Sequence, residues 1–519
     1  MNRLTPIATV TYHRHPLPYQ DDPLRLYQQL TDDQPHSMLL ESAEVDSKDH
    51  LRSFILTHAA LSVTCMGQTV SFQALSDNGA SLLPAIANYF QPLAKVTASN
   101  RMLIVSFERV SGDMDEDARL KALSPLEGLR LLQQGIHING TPCEEGLFMG
   151  GVLGYDLIAA VEPLPTVANS ANHCPDYLFY LAETLIVVDH QRQSADIVTH
   201  AFTDNGRVKK ALQQRVAHIT EQCAHTGDIP QLKGVRADAV TDISDTQYAA
   251  NVIRLQEHIR AGDIFQVVPS RSFSLPCPNT LGAYRALRLT NPSPYMFYLR
   301  GADFTLFGAS PESAVKYEAS SNQVEMYPIA GTRKRGKDAD GNIDADLDGR
   351  IELELRLDKK ELAEHIMLVD LARNDIARIS ESGSRRVADL LKVDRYSHVM
   401  HLVSRVTGKL RHDLDALHAY QACMNMGTLV GAPKVRAAQL IREVEQKRRG
   451  SYGGAIGYIN GLGDMDTCIV IRSAFVSNNS AYIQAGAGVV NDSDPLSEAE
   501  ETRQKAQAVI SAIKMGGGL

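Results

Sequence analysis

Apolar segments of the length of β-strands recur along this chain and limit the folds that it can adopt. Residues 54–61, 101–107 and 177–188 are such segments, and polar stretches that contain proline separate them. Segments 467–477 and 481–490 also have the residue pattern of strands. Helical patterns at 208–223 and 360–379 lie among them. The mixture predicts an α/β or α+β fold with an extensive sheet, although the pattern does not give the strand order.

The composition narrows the class of protein. The chain has 519 residues and a net charge of −9, which argues against a nucleic-acid partner because such proteins usually carry a basic surface. Its seven scattered cysteines form no C-x-x-C pair, which favours free thiols in a reducing compartment. No apolar run reaches the roughly 18 residues that a membrane span requires, and residues 1–20 show no apolar signal core. We therefore expect a cytoplasmic protein that does not contact a membrane.

Two helices are predicted in detail. In the segment 360–379, Leu362, Ile366 and Val369 are spaced i, i+4 and i+7, which predicts an apolar stripe along that helix. A last helix is predicted from Asp494-Pro495 to about residue 513, because aspartate is a favoured N-cap and proline suits the first helical position.

Two pairs of glutamates lie on these two helices. Glu361 and Glu364 share one face of the first helix, away from the predicted stripe, and Glu498 and Glu501 repeat the spacing near the start of the last. A few carboxylates that leave positions for water and substrate suit Mg²⁺. The alternative is a solvated helix face, and the spacing alone does not decide between the two.

A strand arginine and two glycine turns are candidates for holding an anion. Strand alternation places Cys468, Val470 and Arg472 on one face, where the arginine requires either a carboxylate ligand or a structural ion pair. The glycines at 453, 454, 486 and 488 permit backbone N–H groups to approach an anion, although most such turns are structural.

Histidines are the candidates for proton transfer. His398 and His401 lie close together, and a histidine can titrate near neutral pH. The chain has 17 histidines, so the pattern alone does not select one of them. No cysteine lies in a Gly-x-Cys-x-Gly elbow, which favours acid–base chemistry over covalent catalysis.

Ordered motifs between residues 243 and 515 carry a family resemblance. In chain order they are 262–268 Gly-Asp-Ile-Phe-Gln-Val-Val, 308–312 Gly-Ala-Ser-Pro-Glu, 328–332 Pro-Ile-Ala-Gly-Thr, 364–375 Glu-His-x-Met-Leu-Val-Asp-Leu-x-Arg-Asn-Asp, 401–402 His-Leu, 431–434 Gly-Ala-Pro-Lys, 486–488 Gly-Ala-Gly and 500–502 Glu-Glu-Thr. This set resembles the chorismate-utilising enzymes, which include anthranilate, aminodeoxychorismate, isochorismate and salicylate synthases. Within that family the chain resembles the large, chorismate-binding subunits (component I) of anthranilate synthase.

The resemblance implies a fold and a division of the chain. The fold would be α+β, a large αββα sandwich of two sheets. Residues 1–240 would contribute a tryptophan feedback site and part of the sheet, and residues 241–519 would form the chorismate-binding catalytic region. The two regions would be intertwined in one fold.

The resemblance also implies roles for individual residues. Glu364 and Glu501 would ligate Mg²⁺, with Glu361 and Glu498 assisting through water or from behind the ligands. Glu312 would be the general acid that protonates the departing C4 hydroxyl, and His401 would carry the proton transfers that accompany loss of pyruvate. The residues that would bind the substrate are Gly331, Thr332, Tyr452, Arg472, Gly486, Ala487, Gly488 and Lys505.

Two positions separate the activities within this family. Isochorismate and salicylate synthases carry a water-activating lysine where this chain has Gln266, and an amide cannot serve as that base. Aminodeoxychorismate synthases carry a nucleophilic lysine where this chain has Ala330. The resemblance therefore implies that ammonia is the nucleophile, with Gln266 in the catalytic set.

A second set of residues resembles the feedback site for tryptophan in anthranilate synthases. It comprises Leu40, Glu41 and Ser42 together with Pro294, Tyr295 and Met296. Taken alone, the first segment also fits an ordinary strand end. Together the two segments imply an allosteric pocket between the N-terminal region and the catalytic region.

The resemblance implies a Mg²⁺-dependent lyase that aminates chorismate and eliminates pyruvate to give anthranilate, the first step of tryptophan biosynthesis. The chain has no glutaminase elbow, so a glutamine amidotransferase subunit (component II) would supply ammonia, in a heterotetramer of two large and two small subunits. Two alternatives stay open: an enzyme that stops at an aminodeoxychorismate intermediate, and a non-catalytic tryptophan-binding protein of the same fold.

Overall fold

The computed structural model describes residues 6–32, 34–42, 51–109, 114–225, 227, 229, 232–338, 340–396 and 399–519. In the first half the strands are β1 (Ala8–Leu17), β2 (Ser37–Glu41), β3 (Arg52–Met66), β4 (Thr69–Ala74), β5 (Lys95–Ala98), β6 (Met102–Ser106), β7 (Ile136–Ile138), β8 (Phe148–Leu153), β9 (Tyr177–Asp189) and β10 (Ser194–Ala201). The helices there are α1 (Pro23–Thr31), α2 (Asp77–Ala80), α3 (Leu83–Phe90), α4 (Glu116–Lys121), α5 (Glu127–Gly135) and α6 (Gly206–Cys223), with 3₁₀ turns at Glu144–Gly146 and Tyr155–Ala160.

In the second half the strands are β11 (Val240–Thr241), β12 (Gln266–Val267), β13 (Ser270–Pro276), β14 (Tyr295–Arg300), β15 (Thr305–Ser310), β16 (Ser313–Glu318), β17 (Gln323–Met326), β18 (Ile329–Lys334), β19 (Arg386–Arg395), β20 (Val399–Lys409), β21 (Gly431–Ala432), β22 (Ala455–Asn460), β23 (Met465–Ile469), β24 (Ser473–Ser477) and β25 (Ser480–Gly486). The helices are α7 (Asp245–Arg260), α8 (Thr280–Thr290), α9 (Ala345–Leu357), α10 (Lys359–Ile379), α11 (Ala416–Cys423), α12 (Gly427–Val430), α13 (Lys434–Glu445) and α14 (Pro495–Gly516).

The strand registers define two large antiparallel sheets. The first sheet runs β1-β10-β9-β3-β2-β14-β15-β24-β25-β13-β11. The second runs β5-β6-β4-β3-β9-β8-β22-β23-β16-β17-β20, with β18 and β19 also paired to β20. The strands β3 and β9 belong to both sheets, and their register shifts where they pass from one to the other. Each sheet therefore takes strands from both halves of the chain.

Three apolar layers hold the sheets and helices together. Along β9, Ile186 and Val188 face a layer shared with α1, α6, α8 and α14, whereas Leu185 and Val187 face a layer between the two sheets. The outer face of the second sheet packs against α3, α5, α10 and α11. Because both faces of the central strands are buried, these strands appear in the sequence as continuous apolar runs. The order helix, sheet, sheet, helix confirms the predicted α+β sandwich.

Several local predictions are confirmed. The strand-like runs at 54–61, 101–107 and 177–188 lie in β3, β6 and β9, and the helical patterns lie in α6 and α10. The Asp494 side chain caps α14 by accepting a hydrogen bond from the backbone N–H of Ser497. All seven cysteines are free thiols.

Two local predictions are wrong in part. Of the predicted stripe on α10, Val369 is buried, but Ile366 is 40% exposed, and the buried face runs instead through His365, Leu368 and Val369. The predicted strand 467–477 is two strands, since the chain leaves the second sheet after β23 and enters the first at β24. Arg472 lies at that break with φ = 46°, so it does not continue the alternating face of Cys468 and Val470.

Candidate active site

The site forms where two adjacent segments cross from one sheet to the other. The first segment passes from β15 to β16 through Glu312, and the second passes from β23 to β24 through Arg472. The crossings are hydrogen-bonded to each other, since Ile469 N–H donates to the Glu312 carbonyl (3.0 Å) and Ala309 N–H donates to the Arg472 carbonyl (3.1 Å). The two crossings therefore bring the Glu312 carboxyl group near enough to the Arg472 guanidinium for each to shift the pKa of the other.

Glu312 is a buried carboxyl group. It is 8% exposed, and its Oε1 accepts a hydrogen bond from the Thr428 hydroxyl at 3.0 Å. Burial raises its pKa to about 8, against the opposing effects of the Thr428 hydrogen bond and of the positive charges on Lys505 and Arg472. At neutral pH Glu312 is therefore mostly protonated and able to donate a proton.

The guanidinium of Arg472 lies near Glu312 without bonding to it. Within the described part of the chain its side chain makes no hydrogen bond and no ion pair, so the structural ion pair considered from the sequence is not present there. Burial lowers the pKa of Arg472, partly offset by the nearby Glu312. A guanidinium that is desolvated and unpaired is suited to receive a carboxylate ligand.

His401 is paired with Thr332 across two strands. The two residues are register partners in β18 and β20, and the Thr332 hydroxyl lies 2.7 Å from His401 Nδ1. Burial and, to a smaller extent, the positive charge of Arg472 together lower the pKa of His401 to about 4. The imidazole is therefore neutral at pH 7 and able to accept a proton. Gly331, next to Thr332, has φ = 88°, which favours glycine.

The turn at 486–488 brings further predicted residues together. Lys505 Nζ donates to the Gly486 carbonyl at 3.1 Å. A Cβ atom on Gly486 would lie 3.1 Å from the Tyr452 hydroxyl, and one on Gly488 would lie 2.7 Å from Gln266 Nε2. A Cβ atom on Gly486 would also lie 2.7 Å from the Pro269 carbonyl oxygen, so that position needs glycine, whereas one on Gly488 would displace the end of the Gln266 side chain. The N–H of Ala487 donates to the Pro269 carbonyl (3.2 Å) and is not free to bind an anion.

The four predicted metal-site glutamates converge from two helices. Burial raises the pKa of Glu364, and the negative charges of Glu361, Glu501 and Glu498 raise it further. Glu498 is 6% exposed, its Oε2 atom is buried without a hydrogen-bond partner, and burial raises its pKa. Glu501 pairs with Lys505 at 2.7 Å. Glu498 is therefore not part of a solvated helix face.

The described part of the chain contains no group of three or more His, Cys, Asp or Glu side chains arranged to surround a metal ion. A Mg²⁺ site that uses one or two carboxylates plus substrate and water does not require such a group. Glu361 is in addition paired with Arg333 at 2.8 Å.

Comparisons with known proteins agree with this geometry. The family model described as chorismate binding enzyme matches residues 88–511. The chain belongs to the chorismate-binding enzyme family. It is 56% identical to anthranilate synthase component 1 of Vibrio parahaemolyticus over 96% of this chain and 92% of that protein. It is also 56% identical to component 1 of Escherichia coli K12, over 95% of each chain.

Solved structures of the chorismate-binding enzymes show the same fold. Anthranilate synthase component I from Streptococcus pneumoniae superposes with a TM-score of 0.67 at 29% identity, over 90% of this chain and 94% of that one. The isochorismate synthase MenF from Escherichia coli superposes with a TM-score of 0.66 at 17% identity, over 99% and 96%. The predicted family membership is therefore confirmed, as is the prediction that the chain is an enzyme. None of the helices in the described ranges is long and apolar enough to cross a membrane.

The two segments that are predicted to bind tryptophan lie at neighbouring strands, β2 and β14. In the register of β2 and β14, Glu41 lies opposite Met296 and Leu40 opposite Phe297. Glu41 is buried and accepts a hydrogen bond from the Tyr284 hydroxyl at 2.7 Å. Ser42 and Pro294 lie at the adjoining ends of these strands. The structure thus brings the two segments together, and tryptophan binding there stays a prediction.

Thr428 is a functional candidate that the sequence did not reveal. It lies on the short helix α12, just before the Gly-Ala-Pro-Lys motif at 431–434. Its contact with Glu312 joins residues 116 positions apart in the chain, so no local pattern could indicate it. His398, the other histidine considered, lies outside the described residues.

Proposed function

We propose that the chain is the chorismate-using subunit of an anthranilate synthase. It aminates chorismate with ammonia and eliminates pyruvate to give anthranilate, the first step of tryptophan biosynthesis. The observation that carries this proposal is the neutral carboxyl group of Glu312 beside the cations Arg472 and Lys505, in a chain 56% identical to anthranilate synthase components 1. An acid next to two anion-binding groups suits a substrate that carries carboxylates and loses a hydroxyl group.

The substrate carboxylates are held by the basic side of the site. Arg472 provides a planar fork for one carboxylate, and Lys505 and the Tyr452 hydroxyl lie at the glycine turn 486–488. Gly331 and Thr332 line the ring side, and the positive φ of Gly331 (88°) favours glycine there. Electrostatic attraction to these fixed groups orients chorismate before reaction.

The acidic side of the site fits Mg²⁺. Glu364 and Glu501 are the proposed ligands, with Glu361 and Glu498 behind them. Their mutual repulsion and the unpartnered Glu498 Oε2 atom both support a bound cation. When bound, Mg²⁺ supplies positive charge that neutralises a ring carboxylate and draws electron density from the ring.

Glu312 and His401 carry the proton transfers. Ammonia forms a bond to C2 while the C4–O bond breaks, and the proton of Glu312 goes to the departing oxygen, which leaves as water. The ammonium group formed at C2 returns a proton to the Glu312 carboxylate. Neutral His401, oriented by Thr332, then takes the C2 proton as the bond between ring carbon C3 and the enolpyruvyl oxygen breaks. The departing enolpyruvate takes that proton from His401 at its methylene carbon and becomes pyruvate. The ring becomes aromatic, which drives the elimination.

Two side chains favour ammonia over other nucleophiles. The Gln266 amide lies at the glycine turn and cannot deprotonate water. Ala330 has no amine to attack the ring. These residues support amination rather than hydroxylation or lysine addition.

The proposal extends to partners and regulation. A glutamine amidotransferase subunit supplies ammonia in a heterotetramer of two large and two small subunits, located in the cytoplasm. Tryptophan inhibits by binding at Leu40, Glu41 and Ser42 of β2 and at Pro294, Tyr295 and Met296 near β14, and it must prefer the less active conformation. Residues 1–240 supply that site and part of the sheets, and residues 241–519 supply the catalytic region.

An assay of the purified chain with chorismate, Mg²⁺ and ammonium tests the function. We expect fluorescent anthranilate and one pyruvate per chorismate consumed, and no comparable rate with glutamine in place of ammonium. Amination without pyruvate would instead indicate an enzyme that stops at an aminodeoxychorismate intermediate. If chorismate were not consumed at all, the chain would be a non-catalytic member of the family.

A further inference from the structure

Among the described residues, the Thr428 hydroxyl makes the only side-chain hydrogen bond to the Glu312 carboxyl group. It donates to Oε1 at 3.0 Å, and Oε2 has no hydrogen bond in the same part of the chain. Both residues border a small cavity walled by Leu368 and Leu371 of α10. The two oxygens of the catalytic carboxyl group are therefore not equivalent.

The segment that carries Thr428 is fixed at several points. Asn425 Nδ2 donates to the Tyr155 carbonyl at 2.9 Å, and Arg449 Nη1 donates to the Leu429 carbonyl at 2.8 Å. At the end of the segment, Lys434 Nζ bonds to the Cys423 carbonyl at 2.6 Å, which ties the two ends together. Because this segment holds the Thr428 hydroxyl in place, the hydroxyl can orient the Glu312 carboxyl group instead of following its movements.

Close packing against α10 also places α12 beside Glu312. A Cβ atom on Gly427 would lie 2.3 Å from Leu371 Cδ2 of α10, so a larger residue at 427 would have to displace the Leu371 side chain. The approach brings the next residue, Thr428, within hydrogen-bond distance of Glu312. The position of the hydroxyl is therefore set by the fold rather than by the flexible side chain alone.

We infer that Thr428 is a positioning residue for the reaction: by donating to Glu312 Oε1 it leaves the transferable proton on Oε2. This inference rests on the proposed function. A carboxyl oxygen that accepts a hydrogen bond from a hydroxyl group acts as the carbonyl oxygen, so the proton resides on the other oxygen. Without that bond the proton is shared between the two oxygens, and the carboxyl group is free to rotate.

The charged groups that face Glu312 are Arg472 and Lys505, and both favour its ionised form, as does the Thr428 hydrogen bond. Removing the hydroxyl therefore raises the pKa of Glu312. Raising that pKa keeps the acid protonated to higher pH, although the proton is then poorly placed. A variant that lacks the hydroxyl should combine a slower reaction with a more alkaline pH limit.

Thr428→Val and Thr428→Ser test this inference, with ammonium as the nitrogen donor so that no partner subunit is needed. We expect Thr428→Val to lower kcat by roughly tenfold or more, with the KM for chorismate changed by less than about twofold. The fall of kcat at high pH should move to higher pH in Thr428→Val. Thr428→Ser should restore both kcat and the pH profile.

Thr220→Val is the matched control, since the hydroxyl of Thr220 is exposed and, among the residues that the structure describes, bonds only to the Val216 carbonyl of its own helix. It should match the wild type in every measurement. Thermal unfolding of all variants checks that they fold. The inference is overturned if Thr428→Val keeps the wild-type kcat and pH profile, if it alters KM alone, or if Thr428→Ser is as slow as Thr428→Val. A wild-type chain that does not consume chorismate would instead refute the proposed function.

Discussion

Replacing Glu312 with glutamine should make the folded chain more stable in alkaline solution while abolishing its activity. The structure raises the pKa of Glu312 from 4.5 to about 8 by burial. Each tenfold change in proton affinity corresponds to about 1.4 kcal/mol, so ionising Glu312 costs about 5 kcal/mol more in the folded chain than in the unfolded chain. Glutamine has nearly the same shape and never ionises, so the variant avoids this cost.

The sign of the effect follows from the raised pKa. Below pH 4.5 the carboxyl group is neutral in both the folded and the unfolded chain, so it does not lower the free energy of unfolding. As pH rises from 4.5 to about 8 the unfolded chain is increasingly favoured, because only in that state is the carboxylate well solvated. Between pH 5 and pH 9 the wild type should therefore lose about 4 kcal/mol of unfolding free energy relative to Glu312→Gln.

Urea unfolding of both proteins at pH 5 and pH 9, without metal or substrate, measures this difference. Glu318→Gln, an exposed glutamate on the same strand β16, is the control and should show no comparable pH dependence. A stability difference between wild type and Glu312→Gln that is the same at both pH values would refute the argument that burial keeps Glu312 neutral.

Three further predictions concern the metal, a buried histidine and the effector. Glu364→Gln should abolish activity. It should also abolish the rise in melting temperature that Mg²⁺ gives the wild type, which corresponds to about 2.7 kcal/mol of stabilisation when the Mg²⁺ concentration is 100 times the Kd. Equal melting shifts in both proteins would contradict the role of Glu364 as a metal ligand. His200 is fully buried and its pKa is lowered from 6.5 to about 4, so its contribution to stability is present above pH 6.5 and is lost as pH falls through 4. His200→Gln should therefore reduce the acid-induced loss of unfolding free energy by about 3 kcal/mol, measured by urea titrations at pH 7 and pH 4; an unchanged loss would show that His200 is not the group responsible. Ser42→Ala should raise the tryptophan concentration for half-inhibition by roughly tenfold with kcat unchanged, whereas unaltered inhibition would place the effector elsewhere.

Local sequence patterns predicted the parts of the fold that depend on neighbouring residues. The cap at Asp494 and the lengths of α6 and α10 follow from preferences within a single turn or helix, so they could be read directly. The stripe predicted on α10 was right at Val369 but wrong at Ile366, because spacing identifies an apolar face but not which neighbouring face packs against the sheet. Ile366 has the right spacing and yet is 40% exposed.

The crossings between sheets could not be predicted from local pattern. Arg472 follows a strand whose alternation gives no sign that the chain turns there, because the break depends on pairing with β15 and β25. The resemblance to chorismate-utilising enzymes supplied Glu312, Arg472 and His401 as site residues. In the structure the positive charge of Arg472 lowers the pKa of both Glu312 and His401. The resemblance did not supply Thr428, whose contact arises only from the packing of α12 against α10.

The mixing of both halves in each sheet has a consequence for synthesis on the ribosome. The edge of β2 is completed by β14, and the edge of β8 by β22. At roughly 5–20 residues per second, the edge of β2 waits on the order of 10–50 s for its partner after it emerges. During that interval the nascent chain presents unpaired backbone groups that could join another chain. Truncated forms that stop before β14 would keep those edges open permanently and should aggregate rather than fold.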